Sequence, residues 1–255
     1  MKKTALLLVL VALTLASCSK QERTERKLVD AMLSDDYEAS FAAMDEFFNW
    51  IKTDKSTMTH DFDYSREKLG MKVNTSSDGQ VRTYSWVTGK SDSISTYANI
   101  VQWLYGDNLI GFTGPLDAML TGRKPTIKRT WSLAHSIDTI YDIEGANPPI
   151  YMFVESYTNE KGKTFTYISA GINQGLKIAI LPFFFNGIET AGNREYIDDG
   201  KLNHRDLIKW DAKAKKLYAY VTDDNLHVIP GKYEVYNLTA TRFVKEENKE
   251  ENQEQ

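Results

Sequence analysis

One motif, repeated at a fixed spacing, constrains this chain more than any other feature. "TYSWVT" (83–88), "IYMFVE" (150–155) and "LYAYVT" (217–222) each place Tyr, any residue, an aromatic and Val in succession. Tyr84, Tyr151 and Tyr218 stand 67 positions apart in both steps. Short runs rich in Val, Ile, Thr and aromatics read as strands, and a fixed period reads as one unit used repeatedly.

Laying the three stretches over one another extends the unit. The first reads LGMKVN, a turn at SSDG, VRTYSWVT, TYANIVQWLY, a turn at Gly106-Asp107 and NLIGF. The second reads IDTIYDI, a turn at EGANPP, IYMFVES, TFTYISAGI, a turn at Gln174-Gly175 and LKIAILPFF. The third reads DLIKWD, a turn at AKAK, KLYAYVT, KYEVYNL and TRFV. Each predicts a four-stranded antiparallel meander of the kind found in propeller blades. The expected fold is therefore mainly β, with modules at about 60–114, 135–187 and 204–245 inside a β-rich domain of 54–245. A β-sandwich is the alternative.

Ahead of this region the period changes. Val29, Leu33, Tyr37, Phe41, Met44, Phe48 and Ile51 recur at steps of three or four, which gathers them on one helical face and predicts a helical segment over 25–53. Ser34 with Asp35 and Asp36 offers a cap for a break into two helices.

The first residues, MKKTALLLVLVALTLASCSK, read as a secretory signal over 1–17. Lys2 and Lys3 precede a short apolar run that ends in small residues. That run falls short of the roughly 20 apolar residues a bilayer span needs. Leu15-Ala16-Ser17-Cys18 looks like the lipobox of bacterial lipoproteins, which implies cleavage before Cys18 and its lipidation. Cys18 is the only cysteine, so disulfides are excluded and stability must come from burial. Residues 18–24 then form a tether. Without Lys2 and Lys3 the chain carries a net charge of −6, which argues against nucleic acid or an anionic membrane surface as the main partner. The polar, acidic stretch 246–255 is too poor in apolar residues to order itself.

Standard catalytic signatures are absent: there is no nucleophile elbow, zincin helix, phosphate loop, dinucleotide fingerprint or paired cysteines. No resident metal or cofactor is expected, and the chain reads as a non-enzyme. One constellation carries chemistry. His60 with Asp61 and Asp63 precedes module one, His135 with Asp138 opens module two, and His204 with Asp206 opens module three. His227 lies beside Asp223 and Asp224 in a loop of module three. In an antiparallel meander these positions fall at one end, so they predict a polar cleft suited to ligand binding or, in the enzymatic alternative, to a metal-assisted hydrolase. Two connecting segments also stand out: 113–132, with Arg123, Lys124, Lys128 and Arg129, and 186–204, which has three glycines, lacks a clear period and is a candidate binding loop. Flat rings stack on sugars, and Trp50, Trp103 and Trp210 are not obvious strand-core residues, so a glycan is a candidate ligand and an envelope protein a candidate partner.

The lipobox, the "VRTYSWVTG…TYANIVQW" run and the "LYAYVT" strand together resemble uncharacterised lipoproteins of the Bacteroidota. The resemblance implies a Gram-negative envelope protein held in the outer membrane by its lipid. Ser19 after the cysteine is consistent with outer-membrane sorting. The single Glu22 in Ser19-Lys20-Gln21-Glu22 leaves the periplasmic and cell-surface sides both open.

Overall fold

The computed structural model describes residues 20–90, 95–113, 135–143, 148–158, 163–175, 178–180, 193–198, 202–239 and 242–247. The signal segment with Cys18, the basic cluster at 123–129 and the end of the acidic tail lie outside them. The chain divides into a helical unit, Met1–Met71, and a β unit, Lys72–Gln255.

The helical unit contains α1 (Lys20–Met32), α2 (Tyr37–Thr53), a 3-10 turn (Lys55–Met58) and α3 (Asp63–Leu69). The break falls where the polar run at 34–36 places it. Asp36 accepts hydrogen bonds from the backbone N–H groups of Glu38 and Ala39, satisfying two of the donors that a helix start leaves open. Two boundaries differ from expectation. Helix α1 starts at Lys20, inside the segment read as tether, and α3 occupies the stretch assigned to the start of module one. The break also rotates the apolar stripe. Val29, Phe48 and Ile51 are buried as predicted, but Leu33 and Tyr37 beside the break are exposed, and Leu28, Met32 and Phe47 take their place in the core. Among the described residues no helix is long and apolar enough to cross a membrane.

The β unit is mainly antiparallel sheet in three meanders. The first comprises β1 (Lys72–Thr75), β2 (Val81–Lys90), β3 (Ser95–Tyr105) and β4 (Asn108–Thr113). The second has β5 (His135–Ile143), β6 (Ile150–Thr158), β7 (Thr164–Asn173) and β8 (Ile178–Ile180). The third has β10 (Ile208–Asp211), β11 (Lys216–Thr222), β12 (Val228–Leu238) and β13 (Phe243–Lys245). Among the described residues the three sheets follow the predicted order of four antiparallel strands each, and none closes into a barrel. An extra strand, β9 (Asn193–Tyr196), pairs with the first half of β7, where the sequence offers no periodic signal.

Two apolar layers join the sheets in order. Val81, Val101 and Trp103 of the first sheet pack with Ile140, Tyr151 and Phe153 of the second. Alternation sends Met152 and Val154 to the other face of β6, where they meet Leu217, Ala219 and Tyr236 of the third sheet. The middle strand "IYMFV" is apolar on both faces because it has a sheet on each side. The 67-residue period does not hold through to the third module. Tyr84 and Tyr151 are fully buried, whereas Tyr218 is half-buried with its ring edge against Tyr233. Leu217 and Ala219 fill the core instead, because a one-residue offset exchanges the faces of a strand.

Candidate functional site

The predicted histidine cluster divides. His60 belongs to the helical unit, where Nε2 lies 2.8 Å from Glu25 Oε2 and the rings of Trp50 and Phe62 pack around it. Asp61 and Asp63 are exposed, and the Asp61 carbonyl accepts from Arg66 Nε. Helix α3, which begins at Asp63, lies in the chain between His60 and β1, the first strand of module one. His135, the first residue of β5, stacks on Tyr157 at 4.8 Å, with Nδ1 3.9 Å from Glu155. Asp206 pairs with Lys209 at 3.2 Å, and its carbonyl accepts from the Tyr233 hydroxyl. His227 and Asp223 form an exposed local turn, with Nδ1 to Oδ2 at 3.7 Å and the His227 N–H donating to Asp223. Asp224 is exposed in the same turn.

Asp138 and His204 do come together, and residues from all three modules surround them. Asp138 is the extra residue of a β-bulge: Ile137 pairs with Glu155 and Thr139 with Val154, leaving Asp138 without a partner across the ladder. The bulge leaves its carboxylate buried. Lys72, first residue of β1, donates to Asp138 Oδ1 at 2.5 Å and to Ser136 Oγ at 2.9 Å, and Ser136 Oγ itself donates to the same carboxylate at 2.8 Å. His204, in a 3-10 turn before β10, reaches in from the third module. Its Nδ1 lies 3.6 Å from Asp138 Oδ2 and 3.0 Å from Ser156 Oγ, and its Nε2 lies 2.7 Å from Asp198 Oδ2.

The electrostatics follow from this geometry. Burial alone would raise the Asp138 pKa, but the His204 contact and the Lys72 charge outweigh it and hold the group at about 2. Burial would lower His204, but its two carboxylate partners lift it to about 9. At neutral pH two cations therefore face two carboxylates, and the net charge of the group is zero.

The linkage Ser156–His204–Asp198 has the order of a nucleophile, base and orienting carboxylate. Its protonation state is wrong for that task. An imidazolium bonded through both nitrogens has no lone pair with which to take the serine proton, and Ser156 is buried. Among the described residues no group of three or more His, Cys, Asp or Glu side chains is placed to hold a metal ion. The cluster acts as an inter-module clamp. A signal for it exists in the sequence: Lys72, Asp138 and His204 stand 66 residues apart in both steps. The lysine and the two serines lie outside the His/Asp pattern.

The tryptophans also separate. Trp103 is buried and its indole donates to the Gly175 carbonyl at 2.8 Å, and Trp210 packs edge-on against Phe243. Both are structural. Trp50 lines an open groove in the helical unit. Comparison with protein-family models, curated proteins and solved structures returned no match.

Proposed function

We propose that this chain is a lipid-anchored, non-enzymatic binding module of a Gram-negative cell envelope, related to the Bacteroidota lipoproteins it resembles. The observation that carries the non-enzymatic part is the closed charge balance of Lys72, Asp138, Asp198 and His204. This His/carboxylate assembly, centred on buried Asp138, pairs its cations, carboxylates and imidazole nitrogens with one another. The anchor rests on the leader and on the lipobox ending at Cys18. The net negative charge of the mature chain favours a protein or glycan ligand over nucleic acid.

Two measurements test the reading. Expressed in a Gram-negative host, the wild-type chain incorporates labelled palmitate and sediments with outer membrane, and the Cys18→Ala chain does neither. Membrane association that survives Cys18→Ala overturns the anchor. The hydrolase alternative has the Ser156–His204–Asp198 connectivity in its favour, and a panel of chromogenic esters and phosphoesters addresses it. Turnover that disappears in both Ser156→Ala and His204→Gln chains, each still folded, establishes an enzyme and overturns the proposal.

A further inference from the structure

We propose that the groove between α1 and α2 is a binding site for a neutral sugar, with Trp50 as its stacking face. The site rests on the binding-module reading and supplies that module with a ligand class. The helical period brings the lining together: Gln21, Thr24 and Leu28 share a stripe of α1, and Asn49, Trp50 and Thr53 share one of α2. The volume, about 350 Å³, lies near the lower end of the usual range for ligand pockets, about 300–1,000 Å³. It accommodates a small ring.

The chemistry of the lining matches a pyranose, which offers one apolar C–H face and a rim of hydroxyls that both donate and accept. Trp50 supplies the aromatic surface. Its ring packs against Phe47, Phe62 and His60, with centroids 5.8, 5.5 and 5.9 Å away, and its indole N–H donates to Asp54 at 3.3 Å. The ring is therefore oriented before any ligand arrives, which lowers the entropy cost of binding. Buried Leu28 supplies an apolar part of the lining.

Polar groups of both kinds surround the ring. The side-chain amides of Gln21 and Asn49 make no hydrogen bond to another described residue, and each offers donors and an acceptor. The hydroxyls of Thr24 and Thr53 donate to the carbonyls of Lys20 and Asn49, so their remaining lone pairs are acceptors. Asp54 is held by Ser56 and by Trp50, which lower its pKa and keep it ionised as a fixed acceptor.

Charge selects among sugars. Lys20 acts on Asp54 and Lys27 pairs with Glu46 at 3.9 Å, so the cations about the groove are matched by carboxylates, which suits a neutral sugar better than phosphate or uronate groups.

Isotope-labelled mature chain carrying Cys18→Ser, and the lipidated chain in phospholipid nanodiscs, would be titrated with maltohexaose, cellohexaose, xylohexaose, chitotetraose and a galacturonate oligomer. The readouts are the Trp50 indole N–H resonance, assigned with Trp50→Phe, and calorimetric affinity. The expected result is that at least one neutral oligosaccharide shifts this resonance and the galacturonate does not. Trp50→Ala then weakens binding about tenfold or more, roughly one 1.4 kcal/mol step, Asn49→Ala weakens it severalfold and Trp50→Phe retains most of it. Asn49 is exposed, so its variant serves as the second probe if Trp50→Ala unfolds. The sugar site is overturned if every neutral probe leaves Trp50 unmoved, a water-filled crevice only. Binding that is indifferent to both Trp50→Ala and Asn49→Ala overturns it equally. Either of those results leaves the binding-module reading standing, whereas cleavage of a bound probe overturns that reading itself.

Discussion

At the scale of single residues, the informative group is Asp138. A buried carboxylate is tolerated only where cations and donors replace its hydration, and here Lys72, Ser136 and His204 do so. Removing one partner of a buried pair is costly because the other is left charged in a dry site. Lys72→Met is expected to destabilise the β unit by about 3 kcal/mol, read from the midpoint of urea unfolding at unchanged slope. His204 sets a pH dependence. Its folded pKa, about 9, lies above the ordinary value of 6.5, so its contribution is complete below 6.5 and is lost as pH rises through 9. Asp138 works in the opposite sense: held at about 2 against an ordinary 3.8, it contributes fully above 3.8 and fails only as pH falls towards 2. Thermal unfolding should therefore show wild-type stability declining from pH 6.5 to 9 by a few kcal/mol at most, about 1.4 kcal/mol per unit of pKa shift. In His204→Gln that decline should flatten. A decline that persists in His204→Gln assigns the titration to another group.

At the scale of elements, local signals decided the outcome wherever they were strong. Asp36 capped the helix break because its side chain satisfies amides two and three residues on, a relation fully contained in the sequence. Asp36→Ala should cost about 1 kcal/mol, read from the melting temperature and from loss of amide exchange protection in the first turn of α2. The hairpins were legible for the same reason, since SSDG, Gly106-Asp107 and AKAK each sit between runs of strand-forming residues. The features that sequence did not disclose depend on what lies across a ladder. The bulge at Asp138 is visible only once β5 is paired with β6, because the carboxylate is extra relative to Glu155 and Val154 and not relative to its own neighbours. Tyr218 keeps the spacing of Tyr84 and Tyr151, yet the fit of β11 against β10 and β12 places Leu217 and Ala219 inward. Strand β9 has no pattern of its own because its stability comes from the free edge of β7. From sequence His60 reads as part of the sheet end because α3, of seven residues, is too short to show a helical period.

At the scale of the molecule, the three sheets of the β unit are joined by polar ties as well as by apolar layers. Asn99 donates to the His135 carbonyl, Tyr141 to the Ile208 carbonyl and Arg205 to Asn74, at 2.8, 2.9 and 2.6 Å. The last of these, with Lys72 and His204, reaches from the third module back to the first. Such ties should make the β unit open as one body. Native-state hydrogen exchange is expected to give amides of β11 and β12 the same opening free energy as those of β2, β3, β6 and β7 in the wild type. In the Arg205→Ala/His204→Gln chain, β11 and β12 should open at lower free energy than the rest. An equal fall in all three sheets would mean that the clamp adds stability without coupling the modules.

The clamp also bears on how such a chain can change length over generations. Arrays of like units ordinarily lengthen or shorten by copying or losing an interior unit, because every interior boundary is interchangeable with the next. Here each module brings a different chemical part to one shared buried point: a cation on β1, an anion on β5 and an imidazole ahead of β10. Duplicating the middle module would bury a second carboxylate with no cation to meet it, and deleting it would leave Lys72 without its carboxylate and His204 with Asp198 alone. The number three is written into the interior charge balance, and a fourth unit could be added only at an end.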